Sequence, residues 1–276
     1  MRKVFKKKII ITGGTGLLGS YFLKKYKNKY KIIKYPFRIE KFAKFENWVN
    51  NKKFDFFIHF ASITNNNKNN SNTIDLINVK SSINLLKTIN KKKIENFKFF
   101  LFISTSHVYG FSKNKITENK RRLPYSAYGN SKKKVEDFII KNRNKFFFKI
   151  GIARVFNITG PKQREGYFIP DVIKRMRTEN KIKNINRFRD FIHIDDVCES
   201  IINIMERKFD HPINISSGKK INLIDVCKKI NKLYFKKELF YEKKRGKDLF
   251  GNNRLLKSLG KNKYKDIIEI IKSYKK

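Results

Sequence analysis

Cysteine, long apolar runs and acidic side chains are all scarce in this chain of 276 residues, and each shortage narrows what it can be. The two cysteines, Cys198 and Cys227, cannot build a disulfide framework. Neither lies in a Cys-x-x-Cys or His-containing spacing suited to a metal, so no metal site is expected. Both fall in apolar helical patterns and read as reduced core residues of a cytosolic protein. No apolar run approaches the roughly 20 residues that cross a bilayer, and the basic start leads into a short isoleucine strand, not a signal-peptide core. A cytoplasmic location without a membrane span is the expectation.

Acid is the third shortage: 23 Asp and Glu against 66 Lys and Arg leave a net charge of +43. Such a balance by itself suggests a nucleic acid or an anionic membrane as partner. The lysine excess, however, rises together with Asn, Ile, Phe and Tyr, whose codons contain little G or C. Selection for phosphate binding gives no reason to enrich Ile and Phe, whereas AT-rich coding accounts for the whole set. The lysines are also spread over nearly every segment, with only short runs such as 91–93 and 132–134. The charge therefore reads as a solvated surface that attracts anionic substrates, and a nucleic-acid partner is not expected.

What is present is most informative at the start. Lys8-Ile9-Ile10-Ile11-Thr12 runs into Gly13-Gly14-Thr15-Gly16-Leu17-Leu18-Gly19 and then a helical pattern over 20–27. A β-branched apolar run reads as a buried strand. The glycines let the backbone turn sharply and approach a pyrophosphate, and the following helix N-terminus offers free N–H donors and a partial positive charge. A second apolar strand over 30–35 supplies the context that a glycine motif alone lacks. The chain thus opens with a dinucleotide site.

Short apolar and longer amphipathic runs then alternate: strand 54–60, helix 73–90, strand 97–104, helix 127–142, strand 146–156. This rhythm predicts an α/β fold of Rossmann type, a doubly wound parallel sheet with helices on both faces. The Asn- and Lys-rich stretch 65–72 reads as a polar loop. From about 158 the rhythm loosens into helices near 168–178, 195–207 and 223–233, a strand 211–215 and two short helical stretches. The expected division is a dinucleotide-binding domain over 1–157 and a small, mainly substrate-binding region over 158–276, with 195–215 able to return to the main sheet. No internal repeat is visible.

Tyr128 and Lys132 lie one helical turn apart on one face. An ammonium beside a phenol lowers the phenol's pKa, which lets tyrosinate accept and return a proton in a hydride-transfer site. The spacing alone decides nothing, because Tyr21/Lys25, Tyr30/Lys34 and Tyr109/Lys113 share it. Position singles out Tyr128: it opens the helix after strand 97–104, whose end carries Ser104-Thr105-Ser106. A strand-end hydroxyl there could share the substrate oxygen that Tyr128 protonates.

Taken in order, these residues resemble the extended short-chain dehydrogenase/reductase superfamily, in its NAD-dependent sugar-nucleotide epimerase/dehydratase group. The series runs from the glycine turn through His59-Phe60-Ala61-Ser62, Asn78-Val79, Ser104 to Gly110 and Tyr128-Gly129-Asn130-Ser131-Lys132. It continues through Arg154 to Pro161, Arg189 to Val197 and Asn214 to Gly218. The resemblance implies that Tyr128 is the acid/base, that Lys132 holds the nicotinamide ribose and tunes Tyr128, and that Thr105 assists. It implies cofactor contacts from Gly13, Thr15, Gly16, Leu17, Leu18, Gly19, Arg38, Phe60, Ala61, Ser62 and Asn78. Asn157, Arg189 and Arg245, with Thr105, fall where relatives bind the nucleotide sugar; arginine suits phosphates through its planar paired donors. The helices 73–90 and 127–142 are where related enzymes form a four-helix contact, which implies a homodimer.

Three departures stand out. The acidic pair that family dehydratases carry after the catalytic hydroxyl is replaced by Ser106-His107, which disfavours dehydration; His107 could serve as an auxiliary acid. The second strand ends Lys34-Tyr35-Pro36-Phe37-Arg38, with no acid for a ribose 2′-hydroxyl. The cofactor is therefore NAD or NADP, with a lean towards NADP. The third strand is nearly absent and 180–187 is compressed. The reading is an NAD(P)-dependent enzyme acting on a nucleotide sugar, an epimerase first and an NADP-dependent ketoreductase second. A Rossmann scaffold recruited to bind nucleic acid or to regulate is the alternative from another class.

Overall fold

Three consecutive isoleucines give β1 (Lys8–Thr12) its buried, β-branched character, and the glycine turn delivers the chain into helix α1 (Leu17–Tyr26). The computed structural model describes residues 6–64, 71–178, 181–183, 185–238, 240–241 and 244–275. Beyond α1 come β2 (Lys31–Lys34), α2 (Phe42–Val49), β3 (Phe56–His59), α3 (Ser71–Ile74), α4 (Ser81–Lys92), β4 (Phe99–Thr105), α5 (Ala127–Asn142) and β5 (Lys149–Val155). The strand Pro212–Ile215 joins them in a six-stranded sheet of spatial order Pro212–Ile215, β5, β4, β3, β1, β2. Pairing is parallel, with Ile10 opposite Ile33 on one side and Phe57 on the other, and Phe57 opposite Phe100. The central strands β3 and β4 are buried along their whole length, as a sheet covered on both faces requires.

Helix α2 was not expected from the sequence. It buries Phe45 and Val49 and sets Trp48 and Phe45 edge-on to the Tyr35 ring, with centroids 5.2 and 5.3 Å apart. Among the described residues no strand lies between β2 and β3, so the third strand of the family pattern is absent and β2 forms the sheet's edge. Between α3 and α4 the helix continues as a π-helical stretch, Asp75–Lys80, which carries Asn78 on its buried side. The predicted helix 73–90 is thus a helical run over 71–92. Most of the predicted polar loop 65–72, namely 65–70, lies outside the described residues, as do 180 and 184 of the compressed segment 180–187.

Chain contacts define two compact units. The first comprises Met1–Tyr109, Arg121–Arg154 and Ile201–Ile213, and the second Gly110–Lys120, Val155–Ser200 and Asn214–Lys276. The core of the first is dominated by phenylalanine: Phe54, Phe57, Phe97, Phe100 and Phe148 form one contiguous cluster with Ile10, Leu85, Leu86 and Ile139. In the second unit, helices Phe168–Thr178, Leu223–Tyr234 and Ile267–Lys272 pack around Val172, Met176, Phe191, Val226, Ile230 and Ile271. Cys198 and Cys227 are buried and are not joined in a disulfide. Among the described residues no helix is long and apolar enough to cross a membrane.

Candidate active site

The turn after β1 is built for backbone approach. Gly13 has φ +67°, and a Cβ there would stand 2.5 Å from the Ala61 nitrogen; a Cβ on Gly19 would stand 2.3 Å from the Gly13 carbonyl oxygen. Only glycine fits either position. Gly16 is the N-cap of α1 and no side chain caps the helix, whose N-terminus lies beside exposed Thr15 and Gly16. A Cβ on Gly16 would meet nothing nearer than 3.4 Å. This cradle fits a pyrophosphate: a helix N-terminus without a side-chain cap and close glycine backbone.

A chain of hydrogen bonds stiffens the floor of the turn. Thr12 Oγ1 lies 2.6 Å from His59 Nδ1, His59 Nε2 lies 2.9 Å from Ser82 Oγ, and Ser82 Oγ donates to the Asn78 carbonyl. Because Ser82 spends its hydrogen on that carbonyl, His59 must donate from Nε2 and accept at Nδ1. Full burial, with the Lys132 charge adding to it, holds His59 down to about 3, so the ring is neutral at physiological pH. Phe60, Ala61 and Ser62 follow His59; Phe60 and Ala61 flank Gly13, with Ala61 N–H donating to Thr12 Oγ1.

Asn78 is fully buried, and its amide is committed within the protein. Oδ1 accepts from Ile63 N–H at 2.9 Å and from Ser62 Oγ at 3.1 Å, while Nδ2 donates to the Ile63 carbonyl and to Ser131 Oγ. It joins the segment after β3 to helix α5.

Helix α5, which carries Tyr128 and Lys132, packs on the end of β4, which carries Thr105. Thr105 Oγ1 accepts from the His107 N–H and so caps the short turn Ser106–Val108. The His107 ring packs between Tyr125 and Tyr128, with centroids 4.9 and 5.9 Å away. Gly129 lets the first turn of α5 press on that turn, since a Cβ there would sit 2.6 Å from the His107 carbonyl oxygen. Ser126 caps the helix by accepting from Gly129 N–H. Lys132 is buried beneath: its Nζ donates to the Ile103 carbonyl at 2.9 Å and lies 4.7 Å from the Phe102 ring centroid. Burial lowers its pKa to about 7, opposed by the charge of Glu136.

Glu136, one turn further along α5, escaped the sequence reading. It is fully buried and accepts from Ser104 Oγ at 2.5 Å, from Arg154 Nε and Nη2, and from Arg122 Nη1 at 3.1 Å. Arg154 in turn donates to Tyr109 Oη at 2.8 Å. The available signal was its i, i+4 spacing from Lys132 in an acid-poor chain. Lys34 was missed as well. It ends β2 opposite Ile11, and its stem covers Gly14, whose Cβ would fall 2.7 Å from it. Arg38 is exposed and paired with Glu40.

Asn157, Arg189 and Arg245 lie in the second unit. Asn157 Nδ2 donates to the Asp190 carbonyl. Arg189 donates to the Phe188 and Lys247 carbonyls, with its guanidinium 5.7 Å from the Phe111 ring. Arg245 grips Asp248 with two parallel bonds of 2.9 and 2.6 Å over the Phe188 ring. Between these arginines, fully buried Asp190 accepts from Ser217 N–H and Oγ, Gly218 N–H and Gly251 N–H. Burial raises its pKa to about 6 against those four donors, which leaves a carboxylate at neutral pH.

Comparison with known proteins gives the family and the fold. The chain is 27% identical over 222 residues to a GDP-6-deoxy-D-talose 4-dehydrogenase of Aggregatibacter actinomycetemcomitans, covering 76% of this chain and 74% of that protein. Its fold matches the UDP-glucose 4-epimerase of Thermotoga maritima solved with UDP-glucose at TM-score 0.85, with 22% identity and 96% of each chain covered. It matches RMD of Pseudomonas aeruginosa complexed with NADPH at TM-score 0.84, with 19% identity and 97% of each chain covered. The family model described as the NAD dependent epimerase/dehydratase family matches residues 9–216. With the glycine cradle, the Tyr128 and Lys132 pair and a match over most of its length, the chain belongs to the NAD-dependent epimerase/dehydratase family.

Proposed function

We propose that this chain is a nucleotide-sugar epimerase that works by reversible oxidation of a sugar ring hydroxyl. The observation that supports the reading is that Lys132 Nζ reaches the Ile103 carbonyl of the strand that ends in Thr105, while the Tyr128 ring stands against His107 just after that strand. A nicotinamide dinucleotide held on the glycine turn by Gly13, Thr15, Gly16, Leu17, Leu18 and Gly19 supplies the hydride acceptor and donor. Tyr128 Oη takes the hydroxyl proton as the sugar carbon becomes a carbonyl and gives it back when the alcohol re-forms. Lys132 favours the phenolate by its positive charge. Thr105 Oγ1 already accepts from the His107 N–H, so its own hydrogen can be donated to the substrate oxygen.

The cofactor is NADP in this proposal. No carboxylate ends β2; Lys34 closes the strand, and Arg38, paired with Glu40, follows it, where a ribose 2′-phosphate would be accommodated. Asn157, Arg189 and Arg245 serve the phosphates and sugar of the substrate, and two copies pair through the helical run 71–92 and α5.

Denaturing the purified protein and identifying the released dinucleotide tests the cofactor. Screening nucleotide sugars with wild type and Tyr128→Phe tests the chemistry: turnover is expected to fall at least about a hundredfold while the dinucleotide stays bound. Equal turnover in the two proteins refutes the assignment. A protein that releases oxidised cofactor at every cycle is a reductase instead.

A further inference from the structure

We propose that Glu136 is a positioning residue of this site: its buried carboxylate ties the helix carrying Tyr128 and Lys132 to the strand carrying Thr105, and supplies the negative charge that Lys132 faces. The proposal rests on Tyr128 and Lys132 being the reacting pair.

The network bridges three elements. Ser104 is the neighbour of Thr105 on β4, Arg154 stands on β5, Arg122 lies in the segment before α5, and all three donate to one carboxylate. Stability alone is a weak reason for this arrangement, because a buried ion pair can usually be replaced by apolar groups of the same volume without loss. Its location supplies a better one. Lys132 has the Phe102 ring and Ile103 carbonyl of β4, neutral His59 of β3, and Glu136 of its own helix about it. Glu136 is the negative charge in that set. Arg154 and Arg122, which face Glu136, and Tyr109 beyond Arg154 temper its field without removing it. Without that charge a lysine so deeply buried would shed its proton below neutral pH, and an uncharged amine could not favour the phenolate of Tyr128.

Two substitutions in the network then act in opposite directions on one group. Glu136→Gln removes the negative charge and exposes Lys132 to Arg154, so the lysine should lose its proton at lower pH. Arg154→Gln leaves Glu136 less neutralised, so the lysine should hold its proton to higher pH. Loss of packing has no reason to produce opposite signs.

The test follows the 13Cε resonance of Lys132 through a pH titration of the cofactor-free protein, assigned by its disappearance in Lys132→Arg. The expected midpoint falls by about one pH unit or more in Glu136→Gln, a roughly tenfold change in ionisation constant, and rises in Arg154→Gln. Midpoints that stay put, or move the same way in both variants, overturn the proposal. Should Glu136→Gln fail to fold, Arg122→Gln removes the other cation on Glu136 and should raise the midpoint as Arg154→Gln does; midpoints that stay put in both arginine variants overturn the proposal equally. Oppositely shifted midpoints in a protein that turns over no nucleotide sugar would uphold the electrostatic role of Glu136 and sink the proposed reaction instead.

Discussion

Asn78 Nδ2 donates to Ser131 Oγ across 3.0 Å, and Ser131 Oγ donates in turn to the carbonyl of Tyr128 at 2.8 Å. A residue in the π-helical stretch thereby fixes the first turn of α5, on which the phenol depends. The route runs through a side chain that makes all four of its bonds inside the protein.

Asn78→Ala should therefore cost about 2–4 kcal/mol, because it leaves the Ile63 backbone groups and Ser131 without their buried partner. Urea denaturation checks this as a lower midpoint at unchanged slope. Turnover should fall more than dinucleotide affinity does, since the damage lies on the Tyr128 side of the joint.

The glycine turn separates folding from binding. Gly13→Ala places a Cβ 2.5 Å from backbone at φ +67° and should lower stability by at least about 2 kcal/mol. Gly16→Ala meets nothing within 3.4 Å and should leave the melting temperature within a degree or two. Both should weaken dinucleotide binding about tenfold or more, measured by calorimetry, if the phosphates rest on this backbone.

Lys132 makes stability depend on pH. Its folded pKa is about 7 and its ordinary value 10.5, so between them the unfolded chain binds the extra proton and stability rises with pH. Below about 7 the cost of the buried charge is fully present. Lys132→Met should accordingly melt higher than wild type at pH 7, and its advantage should shrink by up to about 1.4 kcal/mol per pH unit towards pH 10. Thermal melts of the cofactor-free proteins across that window decide it.

Asp190 carries the opposite sign. Its folded pKa is raised to about 6 from 3.8, so the folded state holds the extra proton in that window and this group's contribution falls as pH climbs through it. Asp190→Asn keeps the shape but offers one acceptor oxygen and an amide donor to four donors. It should destabilise the protein by about 3 kcal/mol at pH 7, seen in thermal or urea unfolding.

Much of this was legible in the residues themselves. The predicted helices 127–142 and 168–178 coincide with the observed ones, because their apolar spacing and flanking polar residues state the helix directly. Strand 146–156 contracted to Lys149–Val155, since Phe146 lies outside the paired strand and packs its ring on Phe138 and Phe148. Helix α2 was hidden because its stripe consists of Phe and Trp, which pattern alone does not separate from a strand. The roles proposed for Thr105, Tyr128 and Lys132 come from residue type and position along the chain; Glu136 was not legible, because burial of a carboxylate depends on partners 14 to 32 positions away. The same applies to Asp190, whose donors sit up to 61 positions away.

The absent third strand leaves β2 as the rim of the sheet, four residues long, with Ile32 and Ile33 half-buried between exposed Lys31 and Lys34. A rim of unpaired amides and carbonyls invites another polypeptide to extend the ribbon, and brevity with a cation at each end is how soluble proteins refuse it. At this one border, the lysine surplus that reads elsewhere as coding drift guards the molecule against accretion.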